Sequence, residues 1–394
     1  MKHLSRTYMV MLLFVILIVS ACASPENDPG GGGGGGAGTS GGGGGSGAAG
    51  GSGSGSEGLI PVRLQLQWVA QSQFAGYYAA EDQGYYEEEG LDVSILEGAV
   101  DIVPQQVVAA GEAEFGIAWV PKMLASRAEG ADLVNIAQVF QRSGTLQVAW
   151  ADSGISSVED WGGKRVGTWG FGNEWEVYAA LRQAGIEPDD PAQVEIVSQS
   201  FDMSQLLNDE LDVAQAETYN EYAQLLETTN PDTGQLYQPS DFTVFDYNDI
   251  GTAMLQDHVF VLGSWLAQEG NEDVAVRFLR ASFRGWIFCR DHFDECVDIV
   301  LANGPTLGEG HMRWMLNEIN ALIWPSPDGL GIINDDLYQQ TVDIAVEFDV
   351  IPEAPDAAAL RKDLAQQAVD SLGGADTTGN DYTKMDIEVT PGGE

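Results

Sequence analysis

From Pro61 to Val93 the chain reads as a strand, a helix and a second strand, and this cycle then repeats. "VRLQLQW" has the two-residue period of a strand, "SQFAGYYAAEDQGYYEEEG" reads as a helix with a glycine break, and "LDVSIL" is again a strand. "DIVPQQVVAAGEA" gives a helix, "EFGIAWV" a strand, and "PKMLASRAEG" a helix that opens with Pro121 in its first turn. "LVNIAQVF" and "LQVAWA" continue the series as strands. Strands and helices alternating at this spacing predict an α/β domain with a mainly parallel sheet.

A second, smaller cycle starts at "SVEDWGGKRVGTWG" and runs through "NEWEVYAALRQAG", "VEIVSQS", "DMSQLLNDEL", "DVAQAETY" and "NEYAQLLE". "MLQDHVFVLG" then reads as a strand returning to the first unit. One α/β unit interrupted by another requires the chain to cross twice, near Val148 and near His258, which makes a hinge with a cleft. The expected division is a first lobe from residues 58–147 and 254–372 and a second from 148–253. The stretch "NEDVAVRFLRASFRGWIFCRD" is strongly amphipathic and should pack on a core. Residues 373–394 are polar, acidic and glycine-rich, and are expected to be a disordered tail.

The N-terminal residues supply an address. Lys2 and Arg6 precede the apolar run "MVMLLFVILIVS", the pattern of a secretory signal over residues 1–21. The junction "VSAC" resembles the bacterial lipobox and marks Cys22 for lipidation, which predicts a lipid-anchored protein on the extracytoplasmic face of the cell membrane. Residues 22–57 then form a tether, almost wholly Gly, Ser and Ala from Gly30 to Ser56, with a reach of about 30 Å. Seventeen Lys and Arg stand against 60 Asp and Glu, so the formal net charge is −43. Such a surface repels nucleic acid and anionic lipid, and neither is an expected partner. Cys289 and Cys296 either pair in an oxidising compartment or are two buried thiols.

Catalysis finds little support. None of the four His residues stands in a catalytic setting, no Ser lies in a G-x-S-x-G elbow, and the glycines of "GTWGFGNE" do not match a dinucleotide or phosphate-loop spacing. The acid pairs Glu174/Glu176 and Glu217/Glu221 flank aromatics, but coincidences of this kind are common in so acidic a chain. No catalytic residue, metal or cofactor is expected. The aromatics are more informative: Trp68, Trp119, Trp169, Trp175, Tyr219 and Tyr222 fall at the ends of predicted strands, where open α/β sheets bind ligands. Trp150, Trp161, Trp265, Trp286, Trp314 and Trp324 are read as core. The strand-end rings lie beside amides and acids, including Gln73, Gln141, Asn173, Glu174, Glu217 and Asn220, with Phe74 and Tyr77 close by. Flat rings with neutral hydrogen-bonding groups suit a planar, polar heterocycle stacked on its faces and read at its edge.

"QWVAQSQFAGYYAAEDQGYYEEEGLDVSI", "FGIAWVP", "DSGISSVEDWGGKRVGTW" and "GNEWE" resemble the solute-binding lipoproteins of ABC importers that handle thiamine pyrimidine precursors and riboflavin. The likeness spans roughly Leu64 to Phe348. It implies a two-lobe periplasmic-binding-protein fold of type II, with lobes joined by two crossing strands and ligand in the cleft. It also implies an ABC permease and its ATPase subunits as partners of a monomeric binding protein. Pyrimidine-precursor binders tend to carry a His in the first loop, where this chain has Gln73 and Phe74. "VFQRSG", "GNEWE", "FDMS" and "TYNEY" are more similar to the riboflavin-type members, so riboflavin is the expected ligand and a formylaminopyrimidine-type precursor the alternative. An enzyme of the pyrimidine-synthesis type shares this fold.

Overall fold

The computed structural model describes residues 58–394. The signal segment, Cys22 and the Gly/Ser-rich tether lie outside the described residues.

Ten strands build the frame: β1 (Ile60–Gln65), β2 (Leu91–Leu96), β3 (Phe115–Ala118), β4 (Leu133–Gln138), β5 (Thr145–Trp150), β6 (Arg165–Thr168), β7 (Glu195–Ser198), β8 (Ala214–Glu217), β9 (Phe242–Asp246) and β10 (His258–Leu262). The first sheet has the order β2-β1-β3-β10-β4; β1 runs parallel to β2 and β3, and β10 is antiparallel to both its neighbours. In the second lobe β8-β5-β9 is antiparallel throughout, β6 and β7 are parallel, and a parallel bridge from Val166 to Val213 joins the two pieces. Each sheet is therefore mixed rather than mainly parallel. The antiparallel member in each is the strand that follows a crossing: β5 enters the second lobe and β10 returns to the first.

The two lobes repeat one plan. On β1 and again on β6 an arginine forks onto the acid that precedes β3 or β8: Arg63 onto Glu114, with Nη2 2.6 Å from Oε1, and Arg165 onto Asp212, with Nη2 2.8 Å from Oδ1. In both pairs the arginine's own backbone N–H donates to the same carboxylate, at 2.7 Å and 2.8 Å. The acid thus fixes the spacing of neighbouring strands as well as the side chain.

The first-lobe core lies where the helix Ala75–Asp82 crosses the long helix Asn271–Asp291. Gly76 and Gly285 allow close approach: a Cβ on Gly76 would sit 2.2 Å from the Trp286 ring, and one on Gly285 would press on the Gly76 carbonyl. Tyr77 meets Trp286 edge-on at 5.6 Å, and Phe74 is fully buried beside it. Phe74 and Tyr77, expected at the ligand, are core residues, because the turn and helix that carry them pack that side into the first-lobe core, where Tyr77 meets Trp286. The helix break read at Gly84 is present, with φ at 70°. A disulfide joins Cys289 to Cys296 between the ends of two successive helices, Asn271–Asp291 and Phe293–Asn303.

The C-terminal segment is ordered, contrary to its composition. The Ser326 and Leu330 N–H groups donate to the carbonyls of Thr378 and Thr377, Asn317 exchanges two hydrogen bonds with the Met385 backbone, and Lys384 pairs with Glu318. Partners for its backbone come from buried polar side chains on the helix Glu309–Ile323, which composition alone does not display.

Replacing Gly76 with Ala should cost about 1–3 kcal/mol through overpacking against Trp286. Thermal unfolding should show a midpoint several degrees below wild type; an unchanged midpoint would mean that the two helices have room to separate.

Candidate functional site: a cavity between the two sheets

A cavity of about 750 Å³ opens between the lobes. Of the residues expected at the ligand, it is lined by Trp68, Gln73, Trp119, Trp169, Asn173, Trp175, Glu217, Tyr219 and Asn220. The loop after β1 brings Trp68, and Gly98 makes this possible: its N–H donates to the Trp68 carbonyl at 2.8 Å, and a Cβ there would strike the Gln67 carbonyl carbon at 2.4 Å. Trp119 precedes the helix Val120–Ala128, Trp169 follows β6, and Trp175 opens the helix Trp175–Gln183.

Gln141 and Glu174 do not reach the cavity. Gln141 donates to the carbonyls of Gln138 and Ile332 at the crossing, and Glu174 accepts the Gly172 N–H at 2.8 Å to close a turn. Glu176 is buried beneath the second crossing, where it accepts the Met254 N–H at 2.6 Å. The acids on either side of Trp175 therefore form no acid/base pair.

Residues outside the expected ligand set complete the wall. Phe171 and Phe201 stand on second-lobe loops at its mouth, and His311, Lys122, Gln71 and Glu221 line its sides. His311 has both ring nitrogens engaged, Nδ1 2.8 Å from Glu227 Oε1 and Nε2 3.0 Å from Asn220 Oδ1, which ties the helix Glu309–Ile323 to the helix Glu221–Glu227. A ring so occupied has no free nitrogen to offer a substrate.

Gln215, fully buried on β8, organises the second-lobe half. Its Oε1 accepts the Trp169 N–H at 3.0 Å, its Nε2–H donates to the Asn173 carbonyl at 2.7 Å, and its backbone exchanges two hydrogen bonds with the Gln199 side chain. One residue thus holds both sides of the second-lobe wall, its side chain the loop 169–173 and its backbone the end of β7 at Gln199. On the first-lobe side Asp257 accepts from Gln67 Nε2 at 2.5 Å and from Gln73 Nε2 at 2.9 Å, while Gln71 Nε2 donates to Gln73 Oε1 at 2.6 Å.

The electrostatics disfavour anions. Burial pushes Asp257 up to about 6 and Glu221 up to about 7, and it raises Glu217 well above the usual carboxylate range, with Glu221 adding to the effect. Glu217 accepts from Thr145 Oγ1 at 3.2 Å through one oxygen, while its other oxygen is buried without a partner. Lys122 is pulled down to about 8 by burial, against the attraction of Glu174, Asp257 and Glu217. Its ammonium lies 4.7 Å from the Trp119 ring centroid. The wall thus carries one cation among acids whose charge burial reduces, together with several neutral hydrogen-bond donors and acceptors.

The sequence profile of the NMT1/THI5-like family matches residues 71–296. The chain belongs to this family. It is 24% identical over 252 residues to the formylaminopyrimidine-binding protein of Halalkalibacterium halodurans, covering 64% of this chain and 72% of that one. To the riboflavin-binding protein RibY of Chloroflexus aurantiacus it is 25% identical over 295 residues, 71% of this chain and 78% of the other. It is also 30% identical over 127 residues to the 4-amino-5-hydroxymethyl-2-methylpyrimidine phosphate synthase of Legionella pneumophila, but this spans only 32% of this chain and 40% of that enzyme. Among solved structures the periplasmic aliphatic sulphonate-binding protein SsuA of Escherichia coli superposes with a TM-score of 0.56 at 16% identity, covering 83% of this chain and 94% of that one. The fold is the type II periplasmic-binding-protein fold.

Stability should fall as pH rises through the range set by the buried acids. Unfolded carboxyls titrate near 4, whereas Glu176 and Glu221 are raised to about 7 and Asp257 to about 6 by burial. Between about pH 4 and pH 7 the folded chain holds protons that the unfolded chain has released, so raising pH favours unfolding until these groups have ionised. The thermal midpoint should be lower at pH 8 than at pH 5.5, and Glu176→Gln should reduce the difference. A midpoint that is flat or rises with pH would contradict the assignment.

Proposed function

We propose that the protein is the extracytoplasmic solute-binding component of an ABC importer, capturing riboflavin and presenting it to a membrane permease. The observation that carries this reading is the wall of the cavity: Trp68 and Trp119 from the first lobe, Trp169 and Trp175 from the second, interleaved with amides and with acids that burial keeps short of charge. Rings on both lobes suit a flat ligand that stacks on its faces. The amide and carboxyl groups suit the alternating carbonyl and N–H edge of an isoalloxazine, and its ribityl hydroxyls. A space of about 750 Å³ accommodates a tricyclic ring with a polyol chain, whereas a single substituted pyrimidine leaves most of it open. The relative named for riboflavin aligns over 71% of this chain, which supports the same ligand class.

Binding rather than catalysis is supported by the engaged nitrogens of His311 and by the turn and crossing roles of Glu174 and Glu176. Capture then proceeds by closure of the lobes about the two crossings. In this reading a lipid on Cys22 holds the protein to the membrane through the Gly/Ser-rich tether. Among the described residues no helix is long and apolar enough to cross a membrane.

Titrating riboflavin into the protein should quench flavin fluorescence, because indoles in contact with the ring donate electrons to its excited state. Trp68→Ala or Trp175→Ala should weaken binding by roughly tenfold, the combined loss of stacking and burial. Unquenched riboflavin together with tight binding of 4-amino-5-hydroxymethyl-2-methylpyrimidine would move the ligand to the pyrimidine class. In cell fractionation Cys22→Ala should shift the protein out of the membrane fraction; retention after a high-salt wash would contradict the lipid anchor.

A further inference from the structure

Two aromatic side chains of the cavity wall are exposed, Phe171 at 83% and Phe201 at 41%. Neither gains much from burial where it stands, so packing in the second lobe does not account for them. Phe171 has φ at 55° and sits between Gly170 and Gly172, which also have positive φ. The left-handed region is disfavoured for a residue with a Cβ, and a third glycine would be the unstrained choice. A bulky ring held there at the edge of a cleft is a lead to function.

Phe201 spans the cleft. Its ring centroid lies 5.5 Å from that of Trp68 on the first lobe and 6.1 Å from that of Trp169 on the second, where the planes differ by only 18°. The loop beneath it is pinned on three sides: the Ser200 N–H donates to Gln205 Oε1 at 2.8 Å, the Ser204 N–H to Asp202 Oδ1 at 2.9 Å, and Trp169 Nε1–H to the Ser200 carbonyl at 3.2 Å. Beneath Phe171 the Gly170 carbonyl accepts from both the backbone and the side-chain nitrogen of Asn173. Gln215 holds both loops from below. Fixed backbones thus carry protruding rings on the same wall as Trp68.

We propose that Phe171 and Phe201 are ligand-contacting residues: an aromatic clamp at the cavity mouth that lies against a planar ring held between the lobes and sets its rate of release. This deepens, and rests on, the reading of the protein as a binder of a planar heterocycle. Phe201 lies almost parallel to Trp169 and close to Trp68, so a flat ligand ring entering beside it extends a stack that already joins the lobes. A small tetrahedral anion gains nothing from such faces. Rings at the mouth also shield the polar contacts deeper in from water, which slows dissociation more than it changes encounter.

The test is stopped-flow release of riboflavin and of lumichrome, which lacks the ribityl chain, from wild type, Phe201→Ala and Phe171→Gly. Both variants should release both flavins roughly five- to tenfold faster, with association changed by no more than about twofold, and Phe201→Trp should restore slow release. Glycine adopts the backbone of position 171 without strain, so Phe171→Gly should unfold at or above the wild-type midpoint, which separates loss of the ring from loss of the fold. Wild-type release rates in both alanine and glycine variants would overturn the clamp alone. Unchanged release with impaired permease-dependent uptake would assign the rings to permease docking and overturn it as well. Should wild type bind only 4-amino-5-hydroxymethyl-2-methylpyrimidine, that compound replaces the flavins in the release measurement, with the same outcomes. Wild type that binds none of the three overturns the clamp together with the reading beneath it.

Discussion

Two short stretches of backbone, residues 139–144 and 251–257, carry the chain between the sheets, and the polar groups buried there must find partners inside the protein. Gln256 receives the Gly144 N–H at 2.7 Å and donates to Thr145 Oγ1 at 2.7 Å, and Gln138 donates to the carbonyls of Phe140 and Gln256. Glu176 caps the Met254 N–H from the second lobe. His258, pushed down to about 3 by burial and so neutral, sits beside the Ala118 carbonyl at 2.6 Å. This seam holds β5 and β10 in register in their respective sheets. The four tryptophans that face the cavity are carried by loops and helix starts that leave those two sheets.

The same seam explains the electrical character of the site. Gly144 lies so close to Glu217 that a Cβ there would stand 2.8 Å from its Oε2, and the carboxyl is thereby kept in a dry pocket at the end of β8. Acids buried in this way favour their protonated forms and act as hydrogen-bond donors and acceptors rather than as charges. A chain with formal net charge −43 therefore presents a cavity whose acids are partly protonated and whose wall carries one cation, Lys122, among amides and rings. The fold is shared with SsuA, a sulphonate binder by name, and the difference in what a cavity can hold rests on side chains rather than on topology.

The strand-helix alternation, the interruption and the returning strand were all legible in the sequence, because periodicity and strand-end position are local signals. Trp68, Trp119, Trp169 and Trp175 were legible for the same reason: each lies at or just beyond the end of a strand. Phe74 and Tyr77 were misplaced because a helix has several faces and only packing shows that theirs enters the first-lobe core, where Tyr77 meets Trp286. Gln215 and His311 carried no local sign. Gln215 sits within a short strand, and its role comes from one loop whose ends lie 42 and 46 residues away; His311 reaches the cavity through a helix that follows the second crossing. Phe171 looked like part of a glycine turn, and its exposure appears only once the fold is known. The tail at 373–394 reads as solvated because its partners, Asn317 and Glu318, lie more than 50 residues earlier.

If the cavity holds a neutral planar heterocycle and not an anion, the ligand should travel with the protein through purification. Mass spectrometry of small molecules released on denaturing protein purified, without added ligand, from cells grown on rich medium should find a flavin, or failing that a substituted aminopyrimidine, at a stoichiometry approaching one per chain. A sulfonate, phosphate ester or other anion recovered at that stoichiometry would contradict it.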